Sequence, residues 1–369
     1  MGEIRQGVRK NVMMIVTNRC SLNCVYCYEK YKTSEEMTFA TAKSIIDEEM
    51  AADDGYEEII FDFFGGEPFL NFPLIKRAHD YLHSKTWPKK YLCFTTTNGL
   101  HIHGDVANWL WSNRRTFWCS LSLDGTPGMH NQNRNNSYDQ INVDFFAKAW
   151  PDQPVKMTIS RQTLPHLADG IIFLHRKGFK VTSTFAQGIN WIKETDLPIL
   201  ERELKKLMVF YKANPEFPLA SLLDYPIHAL CRELPREEKW CGCGESMKAY
   251  FVDGTLYPCQ CFTPLANETS REQIYESIDF KQTATFVCAE CTGCPYLPIC
   301  PTCYGSNYIQ RGSMGRRDQS LCAFYRACID ASAQFRATQI IHHHPTPEEL
   351  TPEEYYVLKG TKLLHESCS

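Results

Sequence analysis

Between residues 12 and about 187, short apolar runs alternate with stretches in which apolar side chains return every three or four positions. NVMMIVT, EEIIFDFF, YLCFTTT, TFWCSLSL, VKMTIS and KVTSTFA are rich in β-branched and aromatic residues, the composition that suits a pleated surface. TFATAKSIIDEEMAADD, LIKRAHDYLHSK, HGDVANWLWSN and LADGIIFLHRK carry helical spacing instead. Six strand-then-helix units imply a parallel sheet, because parallel neighbours need a crossover connection. The expected fold class is α/β, a partial (βα)6 TIM-like barrel, with functional loops at the C-terminal ends of the strands. Residues 194–213, ETDLPILERELKKLMVFYKA, read as one further helix.

From about residue 231 the periodicity fades and Cys, Gly and Pro rise, until a last helix near 321–341. That segment has few apolar side chains for its length, the situation in which bound metal substitutes for packing. The boundary falls near 215–230, so the expected domains are a barrel over 1–215, a cysteine-rich, metal-stabilised domain over 216–341 and a tail over 342–369. The tail, HHHPTPEELTPEEYYVLKG, adds a short helix; His342, His343 and His344 are adjacent and cannot all face one site. No internal repeat or low-complexity segment stands out.

The 369 residues are 43% hydrophobic and 22% charged, ordinary values for a chain that buries a sizeable core. A net charge of -4 with scattered Lys and Arg argues against nucleic acid or an anionic membrane as the main partner. No signal-length apolar region opens the chain and no run approaches the roughly 18 apolar residues of a membrane span, so a cytoplasmic protein is expected. What changes the picture is cysteine. There are 18 in all: Cys20, Cys24 and Cys27 near the start, and twelve between Cys231 and Cys328. In a reducing compartment such clusters point to metal or redox chemistry rather than disulfides. Cys93, Cys119 and Cys368 are isolated, and the first two fall in strand-like runs that suit a buried thiol.

NRCSLNCVYCYEKY places three thiols in one loop directly after the first strand, with no fourth Cys or His nearby to close a zinc cage. Three thiolates suit a 4Fe-4S cluster whose fourth iron stays open. This C-x3-C-x2-C spacing, with an aromatic residue before the last cysteine, resembles the signature of radical S-adenosylmethionine (SAM) enzymes. The resemblance implies that Cys20, Cys24 and Cys27 hold the cluster and that the open iron binds the amino and carboxylate groups of SAM. One electron then splits SAM into methionine and a 5'-deoxyadenosyl radical. FFGGEP after the second strand looks like the family's GGEP motif. Gly65 and Gly66 allow close backbone approach to a ligand there, and Glu67 accepts from an ammonium group. Tyr26 would lie against the adenine, and Asn98 follows the third strand. SLSLDGTPGMHNQNR is similar to a segment of the peptide-modifying branch, which places Ser122 and Asp124 toward the ribose or methionine and Arg134 on the carboxylate. Arg161 is a second candidate for that pairing. The resemblance covers roughly residues 10–190.

In the second cysteine field, Cys241, Gly254 and Cys259 precede CAECTGCPYLPICPTC, with Cys291, Cys294, Cys300 and Cys303, and then Cys322. This looks like the SPASM extension of radical SAM enzymes that mature peptides and proteins, whose pattern carries two auxiliary 4Fe-4S clusters. By that analogy the first uses Cys241, Cys259 and Cys303, and the second uses Cys291, Cys294, Cys300 and Cys322. PICPTC is one residue short of the family's last gap. Cys243, Cys261 and Cys288 compete for places, with Cys243 or Cys261 favoured as the first cluster's fourth ligand. A zinc-ribbon domain is the alternative, since paired C-x2-C units also build tetrahedral zinc sites.

The cofactors implied are therefore SAM and three 4Fe-4S clusters. The implied reaction is hydrogen abstraction from a ribosomally made precursor peptide or protein, leading to a side-chain cross-link, a thioether or an epimerised centre. Formylglycine formation, as in anaerobic sulfatase maturases, is the alternative; where those enzymes place an Asp base after the Y-P-C cysteine, this chain has Gln260, an amide that takes no proton at neutral pH. A silent peptide-binding core is a third reading. An external electron donor such as flavodoxin or ferredoxin is implied. The few residues before the first strand leave no room for a leader-binding domain, so a separate leader-binding protein enters as a candidate partner.

Overall fold

The computed structural model describes residues 9–231, 239–344 and 349–367. Cys368 and the first eight residues lie outside the described residues. The chain divides into two compact units: residues 1–123, 130–156 and 241–281 in the first, and 124–129, 157–240 and 282–369 in the second.

All six expected strands form, and helices follow them in the expected order. They are β1 (Arg9–Thr17), α1 (Phe39–Ala51), β2 (Glu58–Gly65), α2 (Phe72–His83), β3 (Lys90–Thr97), α3 (Gly104–Asn113), β4 (Phe117–Leu121), α4 (Pro127–Asn133), α5 (Val143–Ala149), β5 (Val155–Ile159), α6 (Leu167–Arg176), β6 (Val181–Phe185) and α7 (Lys193–Ala213). After them come β7 (Met247–Tyr250), β8 (Leu256–Tyr257), α8 (Arg271–Ser277), α9 (Tyr304–Arg311), α10 (Gln319–His343) and α11 (Pro352–Ser367). The tail helix, expected to be short, runs for 16 residues. No helix among the described residues is long and apolar enough to cross a membrane.

In the first unit the sheet runs β4-β3-β2-β1-β7-β8, parallel from β4 through β7. One feature was illegible in the sequence: β7, from the cysteine-rich part, adds in parallel to the free edge of β1, and β8 pairs with it antiparallel. Lys10 of β1 secures this edge. Fully buried, it ion-pairs with Glu49 of α1 and with Asp54, and Glu49 also accepts from the Tyr250 hydroxyl of β7 at 2.7 Å. Removing one partner from such a buried group strands the remaining charge, which costs roughly 3–5 kcal/mol. Beyond β4 the backbone ladder lapses, because β5 and β6 form a two-stranded sheet of their own. Ser122 bridges Lys156, and Leu123 N–H donates to the Lys156 carbonyl at 2.9 Å.

Packing shows which sheet face is which. Phe63 stacks on Phe117 at 5.7 Å, and Trp109 of α3 meets Phe117 edge-on at 5.2 Å. These side chains therefore face the helices, and their neighbours in sequence face the other way. That opposite face carries a row in register across the strands: Ala249, Met13, Asp62, Phe94 and Trp118. In the second unit α10 packs on α7 and α11, and Phe185, Trp191 and Phe324 form an aromatic knot with centroids 5.1–5.9 Å apart.

Candidate active site

β1 leads directly into the three-cysteine loop, and the turn after β2 holds that loop in place. Gly66 N–H donates to the Thr17 carbonyl at 3.1 Å, and Glu67 N–H donates to the Arg19 carbonyl at 2.8 Å. A Cβ on Gly65 would stand 2.1 Å from the Thr17 oxygen, and one on Gly66 would stand 2.3 Å from the Arg19 oxygen and 2.9 Å from Cys20 Cβ. Gly65 also has φ +142, a conformation that L side chains rarely adopt. The first demand on these glycines thus comes from the cysteine loop's own backbone.

Glu67, 1% exposed, ties the ends of two strands together. Its carboxylate accepts from Phe69 N–H at 3.2 Å, Thr97 Oγ1 at 2.7 Å and Asn98 N–H at 2.8 Å. Burial raises its pKa and these donors work against that rise. Both oxygens are engaged within the protein, so an incoming ammonium would share rather than find a vacant acceptor. Asn98 reaches back to the loop, donating from Nδ2 to Ser21 Oγ at 3.2 Å.

Arg134 closes another side. Its guanidinium carbon lies 5.4 Å from the centre of the Tyr26 ring, its Nη1 lies 4.0 Å from Cys24 Sγ, and Val25 N–H donates to the Asn133 carbonyl at 3.0 Å. Glu67, Asn98, Tyr26 and Arg134 are therefore gathered at the loop. Ser122 N–H donates to the Thr97 carbonyl at 2.8 Å. Asp124 belongs to the second unit, where its fully buried carboxylate accepts from Thr158 N–H at 2.9 Å. Arg161, in the same unit, is engaged by Asp196, with Nε 2.8 and 3.1 Å from the two oxygens.

Cys20, Cys24 and Cys27 are each half-buried. Burial pushes the Cys20 thiol up to about 11 and raises Cys27 as well. Thiolates are costly here without a cation, and metal ligation supplies one. Two unforeseen residues act on the same sulfurs. Lys32 donates to the Leu22 carbonyl at 3.3 Å and to Cys27, while buried Glu29 is pushed up to about 8 by desolvation. A lysine and a glutamate in a polar loop read as solvated, so the sequence offered no signal for either.

Asp62 was also missed. It is 5% exposed, and its Oδ1 finds no hydrogen-bond partner among the described residues. Burial pushes its pKa up to about 7 from the ordinary 3.8, against a lowering influence from Lys156, whose own pKa burial depresses. Below the unfolded value the carboxyl is neutral in both states. Between the two values only the folded state holds the proton, so stability falls as pH rises and the full penalty applies above about 7. Asp62→Asn is expected to narrow this loss, a difference of up to about 4 kcal/mol at pH 8 that fades toward pH 4. Thermal melts of both proteins across that range check it; parallel curves would refute the burial argument.

In the first unit Cys243 and Cys261 both hydrogen-bond the Cys259 sulfur and hold its pKa well below the usual thiol value. Gln260 lies between Cys259 and Cys261 with its Oε1 buried and without a partner among the described residues. The second unit gathers the later thiols. Cys288 Sγ donates to Cys291 Sγ at 3.4 Å, and Cys300, raised to about 11 by burial, is held down by Arg317 and up by Cys322 and Cys294. Cys303, expected to join Cys241 and Cys259, lines a recess with Cys300 and Cys322 and caps α9, accepting from Ser306 N–H at 3.5 Å. Among the described residues no three His, Cys, Asp or Glu side chains converge on a single ion.

Residues 14–196 match the model of the Radical SAM superfamily. An uncharacterised protein of Methanocaldococcus jannaschii is 26% identical over 261 residues, which is 68% of this chain and 84% of that protein. Among solved structures, anSMEcpe with bound AdoMet and a peptide shares 18% identity at a TM-score of 0.69, covering 91% of this chain and 100% of that one. SuiB of Streptococcus suis bound to its precursor peptide SuiA shares 17% identity at a TM-score of 0.60, covering 85% and 76%. The strand order, the cysteine loop docked on the GGEP turn and the family match agree, and the chain is a member of the radical SAM superfamily with a cysteine-rich C-terminal region.

Proposed function

We propose that the protein is a peptide-modifying radical SAM enzyme with auxiliary iron–sulfur clusters of the SPASM type. The observation that carries the first part is the backbone docking of the three-thiol loop on Gly66 and Glu67, with Asn98, Tyr26 and Arg134 around it. Three half-buried thiols on one loop suit a 4Fe-4S cluster with an open iron. Bound there with SAM, that cluster supplies one-electron cleavage and a hydrogen-abstracting radical. The protein's part is placement. Glu67 holds the ends of β2 and β3 together, Arg134 presents a cation for the SAM carboxylate, and Tyr26 offers a ring face to adenine. Ser122 and the glycine turn complete the proposed SAM contacts within the first unit.

For the auxiliary clusters, the contact of Cys243 and Cys261 with Cys259 favours a first set of Cys241, Cys243, Cys259 and Cys261. The second set is Cys291, Cys294, Cys300 and Cys322, with Cys288 and Cys303 beside it. Gln260 favours peptide maturation over formylglycine formation, because a buried amide offers no base. A cytoplasmic location and an external donor of flavodoxin or ferredoxin type belong to this reading, as does a separate leader-binding protein.

The test is anaerobic co-expression with a short peptide encoded beside the gene, followed by mass spectrometry. A cross-link or thioether removes two hydrogens; an epimer keeps its mass and gains one deuterium in heavy water. A peptide unchanged on both counts, with SAM consumed no faster in its presence, would overturn the peptide assignment.

A further inference from the structure

In the second unit, Cys300, Cys303, Cys322, Tyr325, Gln187 and Arg317 line a recess. Arg317 is 7% exposed, and its Nη1 donates to Cys300 Sγ at 2.7 Å and to the Cys300 carbonyl at 3.0 Å. Nη1 also lies 3.5 Å from the Pro301 carbonyl. Its Nε is buried and has no partner among the described residues. No carboxylate pairs with it among the described residues: the adjacent Asp318 pairs with Arg311 at 3.4 Å and caps α10 through Ser320 and Leu321 N–H. A guanidinium taken out of water without an anion costs several kcal/mol, so a fold that keeps one there implies an anion for it. Neutral thiols do not supply that charge, whereas a thiolate-ligated cluster does.

Resting on the auxiliary-cluster reading above, we propose that Arg317 is a positioning residue whose buried guanidinium donates to the Cys300 thiolate and to the sulfur of a cluster held in this recess, raising that cluster's reduction potential. Positive charge and hydrogen bonds to sulfur stabilise the reduced, more negative form. The planar fork allows Nη1 to hold Cys300 while Nε faces a second acceptor, an arrangement that a lysine point charge does not reproduce. Arg326 is the internal comparison. Its Nη2 lies 3.5 Å from Cys294 Sγ, but its side chain is exposed and water screens it.

The experiment uses the full chain carrying Cys20→Ala, Cys24→Ala and Cys27→Ala, reconstituted anaerobically with iron and sulfide, so that only auxiliary clusters contribute. Iron and sulfide are counted, and reduction is followed by an EPR-monitored potential titration. With Arg317→Gln the metal content should hold while one transition moves to lower potential by at least tenfold in its reduction equilibrium, about 59 mV for one electron. Arg317→Lys should recover part of the shift, and Arg326→Gln should move it less. An unchanged midpoint in Arg317→Gln with clusters intact overturns the proposal. If that variant loses its cluster, Arg317→Lys decides: a lowered midpoint supports the role and a parental one refutes it. A parent chain that binds zinc or no metal here refutes the auxiliary-cluster reading itself, and the role of Arg317 with it, and is recognised from the metal count before any potential is measured.

Discussion

Cys24→Ala combined with Cys27→Ala is expected to abolish reductive cleavage of SAM. With anaerobic protein, excess SAM and dithionite, 5'-deoxyadenosine should fall to the level of the enzyme-free control. The iron content should fall by about four atoms per chain, one cluster's worth. The change should be chemical rather than structural. Both thiols sit half-buried on a loop whose backbone is fastened elsewhere, through Gly66, Glu67 and the Val25–Asn133 contact. Circular dichroism should therefore match the parent, and the visible absorption left after the substitutions belongs to the auxiliary clusters. Undiminished 5'-deoxyadenosine in the doubly substituted protein would remove the foundation of the functional reading.

Gly66→Ala is expected to do comparable damage without touching a ligand. The added methyl would meet the Arg19 carbonyl oxygen at 2.3 Å and its carbon at 2.7 Å. Both are backbone atoms, so neither can swing aside as a flexible side chain would. The loop must move, and with it goes the Glu67–Arg19 hydrogen bond that sets the height of Cys20. A forced overlap of this kind costs roughly 1–3 kcal/mol or more. The lower melting temperature should be accompanied by loss of iron from the amino-terminal loop. Gly128→Ala is the control, since a Cβ there meets nothing within 4 Å. If both variants melt alike and retain full iron, the docking of the turn on the loop is not what holds the thiols in position.

These two substitutions separate the ways in which the loop is specified. The thiols supply chemistry and are visible in sequence as a spacing. The glycines supply clearance, and sequence shows only that they are glycines. Their motif suggests room for a ligand, but the nearest crowding atoms belong to Thr17 and Arg19. Glu67 likewise reads as an acceptor for an ammonium group, while the folded chain has engaged both of its oxygens with Phe69, Thr97 and Asn98.

Residue order alone dictates the strand–helix alternation, because periods of two and near four are local properties of the backbone. It likewise dictates the three-thiol loop, because three residues within eight positions of one another share a turn whatever the rest of the chain does. Folding, by contrast, brings β7 to the open edge of β1 and Cys243 to Cys259, and it buries Asp62 and Arg317 with polar atoms unmatched among the described residues. Each of these joins or isolates groups through packing between segments distant in sequence, which residue order along a single chain does not record.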